Sequence, residues 1–271
     1  MSFTIDTGAI AAKIVSPWQR ARLFLDKSGM NNSVYVDGSY WANNPGWHSE
    51  DSQWKADRIA SILARNSVDF STCVEVGCGA GQILTRLAQQ MPDKIFSGYD
   101  ISPDAAKLWP ASPPPSVYYH CVDFTTSNVN YDLLLLIDVF EHVEDYLGFL
   151  RKLARRARWF VFHIPLDMHI SGLVRDRQLH ARQQVGHLHY FSRATALATL
   201  EHAGFHVVAD EFTDLSQQTK GGRRALTVLA NLVRYGIQRI STDLAAKLLG
   251  GYSLLVVARA EQSPMATITG L

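Results

Sequence analysis

The sequence predicts an α/β protein built on a doubly wound, mostly parallel sheet of seven strands, with a helical cap before it and a helical insertion ahead of the last strand. Three observations predict it. Strand-like and helix-like segments alternate at βαβ spacing over most of the chain, which means a parallel sheet wrapped by helices. "YDLLLLIDV" is a continuous apolar run, as a central strand covered on both faces requires. "VEVGCGAGQIL" sets three glycines at alternate positions between a strand and a helix, where a nucleotide can approach backbone that carries no Cβ.

The elements follow in order. Residues 1–66 precede the first clear strand and read as an N-terminal helical cap or lid. "SPWQRARLFLDK" is helical, with Ser16 as N-cap and Pro17 in the first turn. "SEDSQWKADRIASILARN" is helical, with Trp54, Ile59, Ile62 and Leu63 at helical spacing. Between them an aromatic segment with Tyr40, Trp41, Trp47 and His48 reads equally as a lid over a ligand or as a packed cap. Residues 67–262 form the main domain. "TCVEV", "KIFSGYD", "SVYYHCVD", "YDLLLLIDV" and "RWFVFHIP" are strands, with "AGQILTRLAQQM", "SPDAAKLW" and "EDYLGFLRKLARRA" as helices between them. "LDMHISGLVRDRQLHARQQVGHLHYF" is irregular and holds four of the ten histidines. The capped helix "SRATALATLEHAGF" ends at Gly204, and "HVVADEFT" and "YSLLVVARA" are the last strands. The insertion between those two, at about 216–251, keeps apolar residues such as Leu226, Leu229, Val233 and Ile237 at helical spacing and reads as one or two helices. Residues 263–271 form a tail.

A length of 271 residues suits one α/β domain of roughly 200–250 residues with an appendage, or two small domains. The formal net charge of +1 supplies no field that would recruit nucleic acid. Cys73, Cys78 and Cys121 are odd in number and lack metal spacing; two of them flank predicted strands, where a small buried residue is expected, and free thiols suit a reducing, cytoplasmic location. No apolar run approaches the roughly 18 residues of a membrane span, and the N-terminus lacks a signal-peptide pattern.

The glycines narrow the ligand. The dinucleotide fingerprint G-x-G-x-x-G needs a third glycine where Gln82 stands. The pattern here is E-x-G-x-G-x-G, with Asp100 at the end of the second strand, 19 positions after Gly81. A carboxylate there can take both hydroxyls of a ribose, so the ligand is of adenosine type.

With "GYDIS", "CVDF", "YDLLLLIDVFEHVED" and "GHLHYFSRATALATLEHAGF" following in order, the glycine motif resembles the class I S-adenosylmethionine-dependent methyltransferases of small-molecule type. It is similar to the ubiquinone-biosynthesis methyltransferases over about Tyr40 to Ala260. The resemblance implies a Rossmann-like sheet whose last strand is antiparallel at or near one edge. It implies S-adenosylmethionine as cofactor and S-adenosylhomocysteine as product. Glu75 would reach the methionine amino group, and Gly77, Cys78 and Gly79 would carry the backbone under methionine and ribose. Gly81 would let the helix start close to the sheet. Asp100 would hold the ribose, Ile101 would pack on the adenine, and Asp123 with the Phe124 backbone would meet the adenine edge. Ile137 and Asp138 would face the methionine end and the acceptor.

Methyl transfer is an in-line displacement in which positioning does most of the work, although a hydroxyl acceptor usually needs a base. Candidate bases are His142, His163, His187 and His189, of which His142 and His187 are the catalytic candidates and His163 reads as the core-facing end of a strand. His187 and His189 alternate, so in a strand they would share one face. Such a pair can ligate metal, but no carboxylate cluster stands near it in the sequence and no metal is expected. The expected activity is methylation, O-methylation first, of a small-molecule, glycan or lipid-linked acceptor. The alternatives are a nicotinamide-dependent oxidoreductase, against which Gln82 speaks, and a non-catalytic cofactor-binding scaffold. Lys220, Arg223, Arg224, Arg234 and Arg239 give the insertion a basic side. It reads as an interfacial helix or as a cover on the core or a second subunit, so peripheral membrane contact and a homodimer both stay open.

Overall fold

The computed structural model describes residues 41, 44, 46, 47, 49–214 and 234–260. The predicted helix after Ser16, Tyr40, His48, the first half of the insertion and the tail lie outside them.

A short 3-10 turn leads into α1 (Ser52–Arg65). There follow β1 (Thr72–Val76), α2 (Gln82–Gln90), β2 (Ile95–Asp100), α3 (Pro103–Ala106), β3 (Val117–Cys121) and β4 (Tyr131–Ile137). The second half adds α4 (Tyr146–Leu153), β5 (Ala157–Pro165), α5 (Ile170–Leu173), α6 (Arg177–Gln184), α7 (Arg193–His202), β6 (Phe205–Asp214), α8 (Thr242–Leu249) and β7 (Tyr252–Ala260). Residues 234–240, ahead of α8, are also helical, so the described part of the insertion is helical as expected.

The seven strands form one sheet in the order β3-β2-β1-β4-β5-β7-β6. The pairs from β3 to β5 are parallel, and β7 runs antiparallel to both β5 and β6. The last strand is thus one place in from the edge. Two apolar layers sandwich the sheet. Leu134 and Leu136 of β4 join Phe160 and Phe162 of β5 and helices α4, α7 and α8 on one face. Leu133 and Leu135 join Val161 and the buried stripes of α1 and α2 on the other. Successive strand side chains point to opposite faces, so the unbroken run of leucines feeds both layers.

Three expectations change. The segment read as irregular, 166–191, carries the short helices α5 and α6. The helix expected over 144–157 stops at Leu153, because Ala157 already pairs with Tyr131 as the start of β5. Cys73 and Cys78 are packed as expected, but Cys121 is exposed at the end of β3.

Candidate active site

The carboxyl ends of β1, β2 and β4 meet at the glycine turn, where ligands of open α/β sheets bind. Gly77, Gly79 and Gly81 all have positive φ, at +76°, +50° and +72°, a region L side chains rarely enter. A Cβ on Gly77 would stand 2.7 Å from Val139, one on Gly79 2.5 Å from Trp47, and one on Gly81 2.5 Å from the Tyr119 ring. Two aromatic residues brace the turn from behind. Trp109 donates its indole N–H to the Gly79 carbonyl at 2.9 Å, and the Tyr119 hydroxyl donates to the Gly81 carbonyl at 2.6 Å. Their rings stack 5.1 Å apart.

Two cavities open on either side of this turn. The first, about 400 Å³, is lined by Gly77, Asp100, Ile101, Asp123 and Phe124 among others. Asp100 is buried at the end of β2. Burial raises its carboxyl above the ordinary value, against the backbone N–H groups of Ser102 and Gly79 that bond its charged form. Ile101 keeps 39% of its surface exposed, an apolar face available to a flat ring. Asp123 is exposed and caps a 3-10 turn by accepting the Thr125 N–H at 2.8 Å, while the Phe124 ring is buried.

The second cavity, about 270 Å³, is lined by Lys55, Glu75, Cys78, Gly79, Ile137 and His187 among others. Gly77, Trp47, Asp138 and His142 line both cavities, so they mark the junction. Gly81 lines neither and lies under Tyr119. Glu75 is 1% exposed, and its Oε2 has no hydrogen-bond partner. Burial pushes its carboxyl up to about 8, with the Lys55 charge opposing and the charges of Asp100 and Asp138 adding to the rise. Lys55 pairs with Asp138 Oδ2 at 2.9 Å. Burial would lower the Lys55 ammonium, but Asp138 outweighs it and the net direction is upward. Burial would likewise lift the Asp138 carboxyl, but the His163 ring and the Lys55 ammonium hold it well below the usual carboxylate range.

The two predicted catalytic histidines come together. The ring of His142 meets that of His187 edge-on at 4.8 Å. His187 Nδ1 lies 2.6 Å from Asp167 Oδ2. The expectation that His187 and His189 share a strand face fails, because residues 185–192 carry no strand. His189 instead turns away, donating from Nε2 to the Val143 carbonyl at 3.0 Å and packing on Tyr146. His163 is buried on β5 as expected and bonds Asp138 and Thr213. Glu141 is fully buried, its carboxylate oxygens have no hydrogen-bond partner, and burial with the charge of Asp138 pushes it well above the ordinary value. Glu141, His142 and His187 set three potential metal-ligating atoms within 4.8 Å of one another, the one such group among the described residues.

Sequence reasoning missed Lys55, Trp109, Glu141 and Asp167. Lys55 carried a readable signal: it sits on the stripe of Ser52, Ala56 and Ile59, a charged residue on the buried side of an amphipathic helix. The other three are placed by long-range packing.

The cradle fits an adenosyl amino acid. Gly77 and Gly79 line the cavities, Asp100 stands at the end of β2 where a carboxylate could take ribose hydroxyls, and the orphaned Glu75 oxygen suits an ammonium. Residues 47–210 match a family model described as a methyltransferase domain. No curated protein matches the chain. Among solved structures, a chain of the complex between a Haloferax volcanii methyltransferase activator and a methyltransferase is 17% identical, with a TM-score of 0.58 over 82% of this chain and 97% of that one. A magnesium protoporphyrin IX methyltransferase from Synechocystis, solved with bound S-adenosylhomocysteine, is 18% identical, with a TM-score of 0.51 over 77% and 82% of the two chains. An S-adenosylmethionine-dependent methyltransferase from Archaeoglobus fulgidus is 18% identical, with a TM-score of 0.51 over 75% and 94%. These likenesses concern the fold.

Proposed function

The chain belongs to the methyltransferase-domain family, and from that premise we propose that this S-adenosylmethionine-dependent enzyme methylates an oxygen of a small-molecule or glycan acceptor, with His187 as general base. The cofactor, when bound, supplies an electrophilic methyl group. In this reading Asp100 takes the ribose hydroxyls, and Ile101, Asp123 and Phe124 receive the adenine. Glu75 and Lys55, both lining the second cavity, form a clamp of opposite charges for the ammonium and carboxylate of an amino acid.

The observation that carries the acceptor assignment is the 2.6 Å contact between Asp167 and His187, beside His142. An ionised Asp167 accepts from Nδ1–H and so fixes the tautomer with a bare, basic Nε2. His142 lines both cavities and His187 the second, so in this reading the pair stands beside the junction of the two cofactor cavities, where the sulfonium and its methyl group would lie and an acceptor would approach. An acceptor hydroxyl placed there would give its proton to Nε2 while its oxygen took the methyl the cofactor supplies, the sulfonium leaving as a neutral thioether.

A screen with methyl-labelled cofactor against a hydroxylated sugar, a phenol and an amine tests this reading. Label on an oxygen, at a rate EDTA leaves unchanged, is the expected result. Label on nitrogen alone would overturn the role of His187. Loss of activity in EDTA would move Glu141, His142 and His187 from base catalysis to cation binding.

A further inference from the structure

His163 is 3% exposed in the middle of the sheet, yet both of its ring nitrogens are engaged. Nδ1 lies 2.6 Å from Asp138 Oδ1, and Nε2 lies 2.9 Å from the hydroxyl of Thr213, itself 2% exposed. The same two residues are joined through the backbone, since Asp138 N donates to the His163 carbonyl at 3.0 Å. Asp138 has φ +53°, a left-handed conformation at the end of β4 that turns its carboxylate out of the strand. Its second oxygen accepts from Lys55. A continuous chain of polar contacts therefore runs from β6 through β5 and β4 to α1, and it ends at the methionine side of the cradle.

We infer that His163, backed by Thr213, is a positioning residue for the cofactor: it pins the Asp138 carboxylate, and the pinned carboxylate keeps the Lys55 ammonium off Glu75. The reason lies in the choice open to Lys55. Its long side chain feels the charges of Asp138, Asp51 and Glu75. An ammonium that collapsed onto Glu75 would neutralise the carboxylate that a ligand's own ammonium needs, and it would leave the ligand's carboxylate without a cation. Asp138 competes with Glu75 for Lys55 only while one of its oxygens is held in place, and His163 supplies that hold. The second ring nitrogen bonds Thr213, so the ring itself cannot turn. His163 lines neither cavity and acts through Asp138 alone. This inference rests on the reading that the cradle takes S-adenosylmethionine.

Two near-isosteric variants separate positioning from packing. In His163→Asn the amide nitrogen stands where Nδ1 stood and keeps the donor to Asp138. In His163→Gln it reaches the place of Nε2, keeps the link to Thr213 and drops the donor to Asp138. Calorimetric titration with S-adenosylhomocysteine is expected to give His163→Asn an affinity within about threefold of wild type. His163→Gln should bind about tenfold or more weakly, the scale of one hydrogen bond to a charged group. The thermal midpoints of the two variants should match. Equal affinities in the two variants, or losses that simply follow the midpoints, would overturn the positioning role and leave the cofactor reading intact. Failure of the wild-type protein to bind the probe would overturn the cofactor reading, and this inference with it.

Discussion

The Asp100 carboxylate accepts the Gly79 N–H at 2.8 Å, so the side chain proposed to hold a ribose also holds the turn on which that ribose would lie. Its other oxygen accepts the Ser102 N–H at 2.8 Å. Each carboxylate oxygen retains a lone pair for a ligand hydroxyl.

Asp100→Ala is therefore expected to weaken S-adenosylhomocysteine binding by about 1.5–3 kcal/mol, the scale of hydrogen bonds to a charged group. It should also lower stability, because two backbone donors lose their acceptor. Asp100→Asn keeps one oxygen and should fall between. Calorimetry and thermal melts read both effects, and unchanged affinity in Asp100→Ala would reject the ribose role.

Gly81→Ala should cost about 1–3 kcal/mol of stability, from a Cβ at φ +72° and its clash with Tyr119. Combining it with Tyr119→Ala should give less than the sum of the two losses, because the clash is gone while the backbone strain remains. Strict additivity in denaturant unfolding would show that the ring is not the obstacle.

Glu75 links stability to pH. Its folded-state carboxyl sits at about 8, above the ordinary carboxylate value, because burial disfavours its charge. Between about pH 4.5 and 8 the native state thus binds the proton that the unfolded chain has released. Stability should fall as pH rises through that window, by at most about 1.4 kcal/mol per pH unit. Glu75→Gln should lack this component, which paired melts at pH 5 and 8 would reveal. Because the ionised form is the one that meets a ligand ammonium, cofactor affinity should move the opposite way and strengthen from about pH 6 towards 8. Equal pH slopes in wild type and variant would show that Glu75 is already ionised in the free protein.

His187→Gln should reduce kcat by about 10²–10⁴-fold with an oxygen acceptor while cofactor affinity stays within twofold or so. Asp167→Asn, which reverses the polarity of the atom facing Nδ1, should lower kcat in the same direction. Wild-type turnover in both variants would leave the enzyme working by positioning alone.

The fold was readable because its signals are local. The run of leucines in β4, the alternation around it and the glycine turn all lie within single elements. That Glu75, Gly77, Gly79 and Asp100 come together was readable for the same reason, since they belong to strand ends and the turn that a parallel sheet brings to one side; their roles toward a cofactor are proposals. The catalytic side was readable only in part. Asp167 meets His187 across 20 residues that carry the two short helices α5 and α6, and Thr213 meets His163 across 50. No period or motif encodes those distances; packing of the finished sheet does. The alternation of His187 and His189 suggested a strand, but the loop that carries them is held by Glu141, whose carbonyl accepts the N–H groups of both Leu188 and His189.

The placement of β7 also has a consequence for the order in which the molecule is built. β6 joins the sheet only through β7, although it is synthesised first. Until the final strand slots in beside β5, β6 has no edge to attach to, and Thr213 has no route to His163. The contact of Thr213 with His163 is thus among the last things a nascent chain can complete. A chain still emerging from the ribosome can form its glycine turn from β1 and β2 alone, yet the polar chain through Asp138 gains its Thr213 link only when translation has delivered the strand that closes the sheet.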